Sequence, residues 1–535
     1  MNISLLNSVK HSFKRTAAVA FLASGSLIAF SQNADIATQW QHADMTTDGM
    51  PGVSAVKAHQ YMKQQGKSPV GVVVAIIDSG SETWHNDLKG NIWTNPKEIP
   101  GNNIDDDNNG YVDDIHGWSF IGGKNGDVTQ DNLEFTRIYR DLKKKYEGKT
   151  AETIAASDKA EFAKYLKFKE DYDARVGEAK QGNEQFQAFL VVYNNAKQTL
   201  EGVLGKDFTV EQLTALDSQD EKVKAAKDRV LGIMMLGLDL EEYSNYYTNQ
   251  LKYSYNLEFD PRYLVGDDYS NARQRNYGNN HIDGPEALHG THVAGIVGAT
   301  NGNGLGMDGI CTTAQLMIIR CVPDGDERDK DVANAIRYAA DNGARVINMS
   351  FGKGYSPNKD VVDEAVKYAE SKGVLLVHAA GNDSKDVDVK DNFPTPRYIG
   401  GKSCSTWIEV GASDKTVAHL AADFSNYGDK TVDIFAPGVD VYATVLNNEY
   451  GPLSGTSMAS PVTAGVAAAL LSYFPNLTAQ EVKEILIASG VSYKKEKVVM
   501  PGDEDKTIKF KKLSKSGKVV NLYEAVKLAE KKAAK

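Results

Sequence analysis

Apolar residues follow two alternating patterns along the chain. Residues 72–77, VVVAII, form an unbroken and largely β-branched run after Gly71. Similar runs recur as QLMIIRCV at 315–322, ARVINMSF at 344–351 and GVLLVHAA at 373–380. Runs of this kind suit strands buried on both faces, as in a parallel sheet. Helical patterns sit between them, DVANAIRYAADNG at 331–343 and DVVDEAVKYAESKG at 360–373, each closed by Gly, a usual helix stop. The alternation predicts βαβ units and an α/β fold with a doubly wound, mostly parallel sheet.

Residues 130–265 break this rhythm, being rich in Lys, Glu, Ala, Gln and Tyr. Two stretches, at 159–181 and 183–204, carry apolar residues at spacings of three and four. They predict amphipathic helices, and the segment reads as a large all-helical insertion. Its heptads are too short-lived for a coiled coil. The last residues, VVNLYEAVKLAEKKAAK, predict a final helix with a basic tip.

The N-terminus reads as an export address. Lys10, Lys14 and Arg15 precede an apolar run at 16–30, and Ala29 and Ser31 are the small residues expected before a cut ahead of Gln32. The run is shorter than the roughly 20 residues a membrane span needs. The expected organisation is a signal peptide at 1–31, a lead-in at 32–70, a catalytic domain in two parts at 71–129 and 266–535, and the insertion at 130–265. An exported protein of this kind belongs in the periplasm, at the cell surface or outside the cell, with no stable membrane anchor once the signal is removed.

Composition narrows the function. Hydrophobic residues make up 41% and charged residues 24% of 535, an ordinary globular balance. A net charge of -11 argues against nucleic acid as a partner. Three Cys are too few for a disulfide framework, and Cys311 and Cys321 read either as a pair or as buried thiols.

Three short motifs carry chemistry. In AIIDSG at 75–80, Asp78 ends a buried strand, where open α/β sheets build their sites. In HGTHVAGIVGA at 289–299, His289 opens a small-residue helix. A metal role for His289 and His292 lacks the Glu of zinc-protease helices, whose place Gly290 takes. In SGTSMASPVTAGVAAALL at 454–471, Ser457 begins a helix among small neighbours, with Pro461 expected within about the first turn. Taken singly, Asp78, His289 and Ser457 could be a turn residue, a packed ring and a helix cap.

Taken together, their order and wording resemble the subtilisin-like serine proteases, the subtilases of peptidase family S8. The wording NP.E…DDD.N.GY.DD.HGW at 95–118 resembles that of secreted subtilases of Bacteroidetes-type bacteria. The resemblance covers about 50–125 and 285–530, outside the insertion. It implies a serine endopeptidase acting on protein or peptide substrates, with Ser457 as nucleophile, His289 as general base and Asp78 as its orienting carboxylate. It makes Asn382, in VHAAGNDS at 377–384, an oxyanion donor beside the Ser457 N–H. It makes Ser350, Phe351 and Gly352 one wall of the substrate cleft, and Ala379, Ala380 and Gly381 another. Small walls favour an apolar or aromatic residue before the cut, while Lys353 could instead attract an acidic one.

Calcium is the one cofactor expected, with no organic group. In IDDDNNGYVDD at 104–114, Asp105, Asp107, Asn109 and Asp113 match ligand positions 1, 3, 5 and 9 of a calcium loop. Gly110 matches the sharp turn and Tyr111 the backbone-carbonyl ligand, but His116 stands where the closing Glu belongs, leaving that part to Asp114 or a distant group. Asp87 and Asn303 resemble a second calcium site common in subtilases. The insertion, placed between Asp78 and His289, reads as a lid over the cleft or as a built-in inhibitor. Two other functions compete: an inactive binding module, which ought to lack a catalytic residue, and an esterase or amidase, for which GTSMAS departs from the G-x-S-x-G elbow.

Overall fold

The computed structural model describes residues 36–534 apart from 237 and 239, so the expected signal peptide lies outside the described residues. Among these, nine strands form one sheet: β1 (Val72–Asp78), β2 (Gly117–Ser119), β3 (Ala314–Arg320), β4 (Val346–Met349), β5 (Leu375–Ala379), β6 (Trp407–Ser413), β7 (Ile434–Pro437), β8 (Val491–Ser492) and β9 (Lys518–Val519). Their order is β8-β9-β7-β6-β5-β4-β1-β3-β2. Neighbours run parallel except for the β8–β9 pair.

The helices are α1 (Ala55–Gln64), α2 (Glu134–Tyr146), α3 (Lys159–Leu204), α4 (Val210–Ala215), α5 (Glu221–Met235), α6 (Leu240–Asn249), α7 (Leu288–Gly298), α8 (Asp329–Asp341), α9 (Lys359–Ser371), α10 (Thr456–Tyr473), α11 (Ala479–Ser489) and α12 (Leu522–Ala533). The chain divides into two compact units, one of which is Phe135–Phe259.

In the sheet-bearing unit, strand periodicity explains the unbroken apolar runs. Successive residues point to opposite faces, and both faces are covered. Val74 and Ile76 of β1 join Leu316, Val346 and Val377 in a core shared with α1, α7, α10, α11 and α12. Ala75 and Ile77 join Met317, Ile347 and Leu376 in a second core, with α8 and α9. Cys311 and Cys321 fall in different cores, and all three Cys are buried free thiols. The open question of their pairing is thereby settled against a disulfide.

The lead-in belongs to this unit. Trp40 and Met62 are fully buried, and the Trp40 indole N–H donates to the Val439 carbonyl at 2.9 Å. His59 bridges the Tyr473 hydroxyl and the Ile310 carbonyl, each at 2.9 Å.

The other unit is helical. The two stretches expected as separate helices form one helix, α3, of 46 residues. Gly182 lies inside it, where a methyl group would come 2.9 Å from the Tyr247 ring. Leu200, Leu213 and Val230 are fully buried in a core of their own. Aromatic rings line α2 and the first half of α3, with Phe135 stacked on Phe168 and Tyr139 on Tyr172 at centroid distances of 5.0 and 4.5 Å.

Within the sheet-bearing unit, one guanidinium ties together the segments that precede and follow residues 135–259. Arg328 donates to both Asp131 oxygens, at 2.7 and 2.9 Å, and to Asp260 Oδ1 at 3.0 Å. Arg328 is buried, so the flanking carboxylates compensate its charge.

Truncation of Met62 tests whether the lead-in is structural. Met62→Ala should cost about 2–5 kcal/mol. The five Trp all lie in the sheet-bearing unit, so guanidinium unfolding followed by Trp fluorescence reads that unit alone.

Candidate active site

The carboxyl ends of β1, β4 and β5 lie side by side, since Ile77 pairs with Met349 and Met349 with His378. The chain continues from these ends into Asp78, Ser350 and Asn382, which brings the three to one edge of the sheet.

Asp78 is buried. Its Oδ1 accepts from the Ser79 N–H at 2.8 Å and from His289 Nδ1 at 2.7 Å. Its Oδ2 is buried with no hydrogen-bond partner. His289 is the second residue of α7, and Gly290 lets that helix reach the strand end. A methyl group at Gly290 would lie 1.9 Å from the Gly80 carbonyl oxygen and 3.2 Å from Asp78 Cβ.

Burial opposes a charge on the His289 ring, but the Asp78 carboxylate more than offsets this, and the pKa is raised above 6.5. His292 differs. It is fully buried, burial lowers its pKa to about 4, and its Nε2 bonds the Gly451 carbonyl at 3.1 Å. The two rings thus have separate partners and do not form a metal pair.

Ser457 is the second residue of α10, and its setting depends on Pro461. Pro461 lies inside the helix, deeper than the first turn expected from sequence. It has no N–H to give the carbonyl four residues earlier, which is that of Ser457. The Ser350 hydroxyl donates to this carbonyl instead, at 2.8 Å. Asn348 holds the arrangement, its amide N–H donating to Ser350 Oγ at 2.9 Å and its Oδ1 accepting from Ser460 at 2.8 Å. Ser350, read from sequence as cleft wall, therefore positions the backbone of Ser457.

Asn382 is oriented with equal care. Its Oδ1 accepts from the N–H and the hydroxyl of Thr456, both at 2.9 Å. The Thr456 Oγ1 in turn accepts from the Gly381 N–H at 3.0 Å. These bonds turn the amide N–H₂ of Asn382 outward. A methyl group at Gly455 would lie 3.4 Å from Asn382 Nδ2 and 3.5 Å from the Ser457 N. Two nitrogens that carry N–H groups therefore lie near one point at the start of α10, where the helix dipole adds positive potential.

Asn426 was not found by sequence reasoning. It donates to the Ala380 carbonyl at 2.8 Å and accepts from the Asp383 and Lys385 N–H groups at 3.0 and 2.8 Å. It holds the 380–385 loop, a role without a local sequence signal.

Ala379 and Ala380 are buried, while Phe351 and Gly381 are half-buried. Lys353 corrects an expectation. Its ammonium is buried against Glu134 and Asp329, each at 2.8 Å, and the Glu327 carbonyl at 2.7 Å. It is engaged with these groups and does not offer a charge to an acidic substrate side chain.

The expected calcium loop is only partly assembled as read. Asp105 and Asp107 converge, with Glu98 as third member, their oxygens within 4.8 Å of one another. Glu98 is buried, and its Oε2 has no hydrogen-bond partner. Asp113 instead accepts from the Gly101 and Asn103 N–H groups at 2.9 and 2.8 Å. The Asn109 amide donates to Asp114 and its Oδ1 caps the Tyr111 N–H, at 3.0 and 2.8 Å. Burial raises Asp114 to about 6, and its oxygens are taken by Asn95, Asn109 and Tyr338. At the second location, the Asn303 amide N–H donates to buried Asp87 at 2.6 Å.

The family model for Peptidase_S8, the subtilase family, matches residues 70–502. The chain belongs to the subtilase family, and its sheet and helices are those of the subtilisin-like α/β fold. It is 42% identical over 185 residues to a thermophilic serine proteinase of Bacillus sp. (strain AK1), covering 34% of this chain and 42% of that protein. It is 39% identical over 200 residues to a cell wall-associated protease of Bacillus subtilis (strain 168), covering 37% and 20% of the two chains. It is 40% identical over 185 residues to thermitase of Thermoactinomyces vulgaris, covering 34% and 61%. In each case the match spans less than two thirds of the relative.

If His289 must be neutral to act, the acid limb of kcat/KM lies above pH 6.5, in the direction Asp78 drives it. Asp78→Asn removes the charge that raises it. The limb should then move down while kcat falls about 10⁴-fold, as in serine proteases with the same triad. A pH–rate profile on a chromogenic peptide reads both.

Proposed function

We propose that this protein is an exported serine endopeptidase that cleaves protein or peptide substrates through an acyl-enzyme. The observation that supports the reading is that Asn382 Nδ2 and the Ser457 N both lie within 3.5 Å of one point, the place a methyl group on Gly455 would take. Donors aimed at one point stabilise the oxyanion of acyl transfer. A loop whose only task is a turn does not need them.

In this reading His289 Nε2 takes the proton as Ser457 Oγ attacks the substrate carbonyl. Asp78 fixes the ring through Nδ1 and stabilises the imidazolium. The carbonyl oxygen becomes an oxyanion between Asn382 and the Ser457 N–H. His289 then returns its proton to the leaving amine, and water repeats the sequence on the ester. No hydrogen bond joins Ser457 Oγ to His289 in the free protein, and such bonds commonly tighten only with substrate. The complete set of four residues favours this reading over an inactive binding module. Relatives named as a serine proteinase and a cell wall-associated protease favour it over an esterase.

No helix among the described residues is long and apolar enough to cross a membrane. Export is supported by the leader at 1–31, and the wording at 95–118, which resembles that of secreted subtilases of the Bacteroidetes type, is in keeping with it.

The reading includes a structural Ca²⁺ held by Glu98, Asp105 and Asp107. All donors are hard oxygens, and the buried, unpartnered Glu98 Oε2 gives the set an unsatisfied charge to match. Glu98 would be the distant group that closes the loop in place of His116.

Two measurements test these statements. A fluorophosphonate probe should label Ser457 in the wild type and nothing in Ser457→Ala; an unlabelled, folded wild type refutes the peptidase reading. Ca²⁺ at 100 times its Kd should stabilise the fold by about 2.7 kcal/mol relative to excess EDTA. Glu98→Gln should remove most of that difference in melting temperature.

A further inference from the structure

Charge is unevenly spread along the chain. Residues 491–535 hold 13 lysines and 6 carboxylates, a surplus of +7 in a protein whose net charge is -11. The rest of the chain therefore carries -18. Segregation of this degree points to electrostatic attachment. Nine of the lysines lie at 494–518, against four carboxylates. Six of those nine follow residue 502, where the match to the subtilase family ends.

The fold gathers them around one hairpin. Strands Lys497–Met500 and Asp503–Lys509 pair antiparallel, with Lys497 opposite Lys509 and Val498 opposite Ile508. Val498 and Ile508 face a core that also holds Tyr493, Phe510 and Leu513. Alternation then turns Lys497 and Lys509 together to the other face, and both are exposed. Like charges directly opposite weaken a strand pair, so this pair costs the fold stability. The acids Asp503, Glu504 and Asp505 sit next to the turn, at the end away from Lys497 and Lys509.

Neighbouring lysines extend the face. Lys494 and Lys495 are exposed just ahead of the first strand. A methyl group built on Gly517 would lie 2.9 Å from the Lys494 stem and 3.2 Å from the Lys511 stem, so these two side chains lie close together. Burial and the nearby Lys494 ammonium lower the pKa of Lys518. Lys506, Lys512 and Lys515 pair with Asp503, Asp429 and Asp433, and Lys511 and Lys518 donate to backbone carbonyls. Among the described residues, no carboxylate pairs with Lys494, Lys495, Lys497 or Lys509.

We propose that the lysine face of this hairpin docks the protein on an anionic lipid surface. The contact is electrostatic and reversible, which distinguishes it from a membrane anchor. Two observations favour lipid headgroups over other polyanions. The last arginine of the chain is Arg397, and Phe510, the one aromatic residue at 494–518, is buried. Nucleic acid is held by arginine forks and stacking rings, and this face has neither. Among the described residues, no large hydrophobic side chain of 491–535 is exposed, so the face lacks the apolar centre of a protein interface. Lysines on flexible stems suit headgroups that move laterally.

The test is co-sedimentation of the full chain with vesicles of phosphatidylcholine, alone or mixed with phosphatidylglycerol. Wild type is compared with the triple variant Lys495→Gln, Lys497→Gln, Lys509→Gln. The leader at 1–31 is common to both, so their difference reads the hairpin. Wild type should prefer the anionic vesicles, and the preference should fade between about 0.1 and about 1 M salt, as the screening length falls from about 10 to about 3 Å. A lysine near such a surface is worth about 5-fold in partition, so the triple variant should bind about 100-fold more weakly. Its melting temperature should not fall, because the Lys497–Lys509 repulsion is gone; a purely structural hairpin would not separate these two readouts. Lys497→Glu, which gives Lys509 a partner across the strands, should weaken binding by at least about 5-fold and holds the proposal to account if the triple variant folds poorly. Equal binding of wild type and variants, or of the two vesicle types, overturns the proposal. Tighter binding of duplex DNA or of poly-glutamate than of anionic vesicles at the same salt also overturns it, because the face would then belong to a nucleic acid or an acidic protein.

Discussion

The bond between Asp78 Oδ1 and His289 Nδ1 is the contact on which the rest of the site depends. It joins the end of a central strand to the first turn of a helix on the sheet face, and several features serve that approach. The β1 strand is buried on both sides, so its end is rigid. Gly290 removes the one side chain that would hold the helix away. Asp78 keeps one buried oxygen without a hydrogen-bond partner, while the other holds the ring. The same carboxylate raises the affinity of His289 for a proton, so ring orientation and ring basicity have one source.

The other half of the site is built by hydrogen bonds around the start of α10. Pro461 frees the Ser457 carbonyl for Ser350, and Thr456 turns Asn382 so that its donors face outward. These bonds lie within the sheet edge and do not involve His289. The placement of Asn382 and of the Ser457 backbone thus depends on none of the ring's hydrogen bonds. Such preorganisation is what makes fixed dipoles effective in a site of low polarity.

Much of this was legible because the chemistry is written in short words. Asp78, His289, Asn382 and Ser457 each sit in a local motif at the end of a strand or the start of a helix, and the four apolar runs gave their strands to within a few residues. What was not legible depends on partners distant in the chain. Lys353 reads as an exposed charge until Glu134 and Asp329 are brought to it. Glu98 lies upstream of the acidic loop, and only the fold turns its oxygen toward Asp105. The β6 strand hides behind Glu409, a buried carboxylate that accepts from His378 Nδ1 and the Trp407 indole. The strands β8 and β9 are two residues long, too short for any periodicity to mark.

The clamp of Arg328 on Asp131 and Asp260 also bears on how the chain finds this structure. The first strand pairs with β3, and the whole helical unit lies between them in sequence. Contacts so far apart close slowly, because a loop must lose entropy before the sheet rewards it. The helical unit has its own buried core and its contacts are local, so it can form early. Once it has, the loop to be closed is no longer the full intervening chain but the short span between its two roots. The penalty grows only with the logarithm of loop length, by about 0.6 kcal/mol per doubling, and a folded insertion removes most of that. An insertion that folds on its own thus adds little to the cost of closing the sheet, and in the finished fold the Arg328 guanidinium holds the segments on either side of it together.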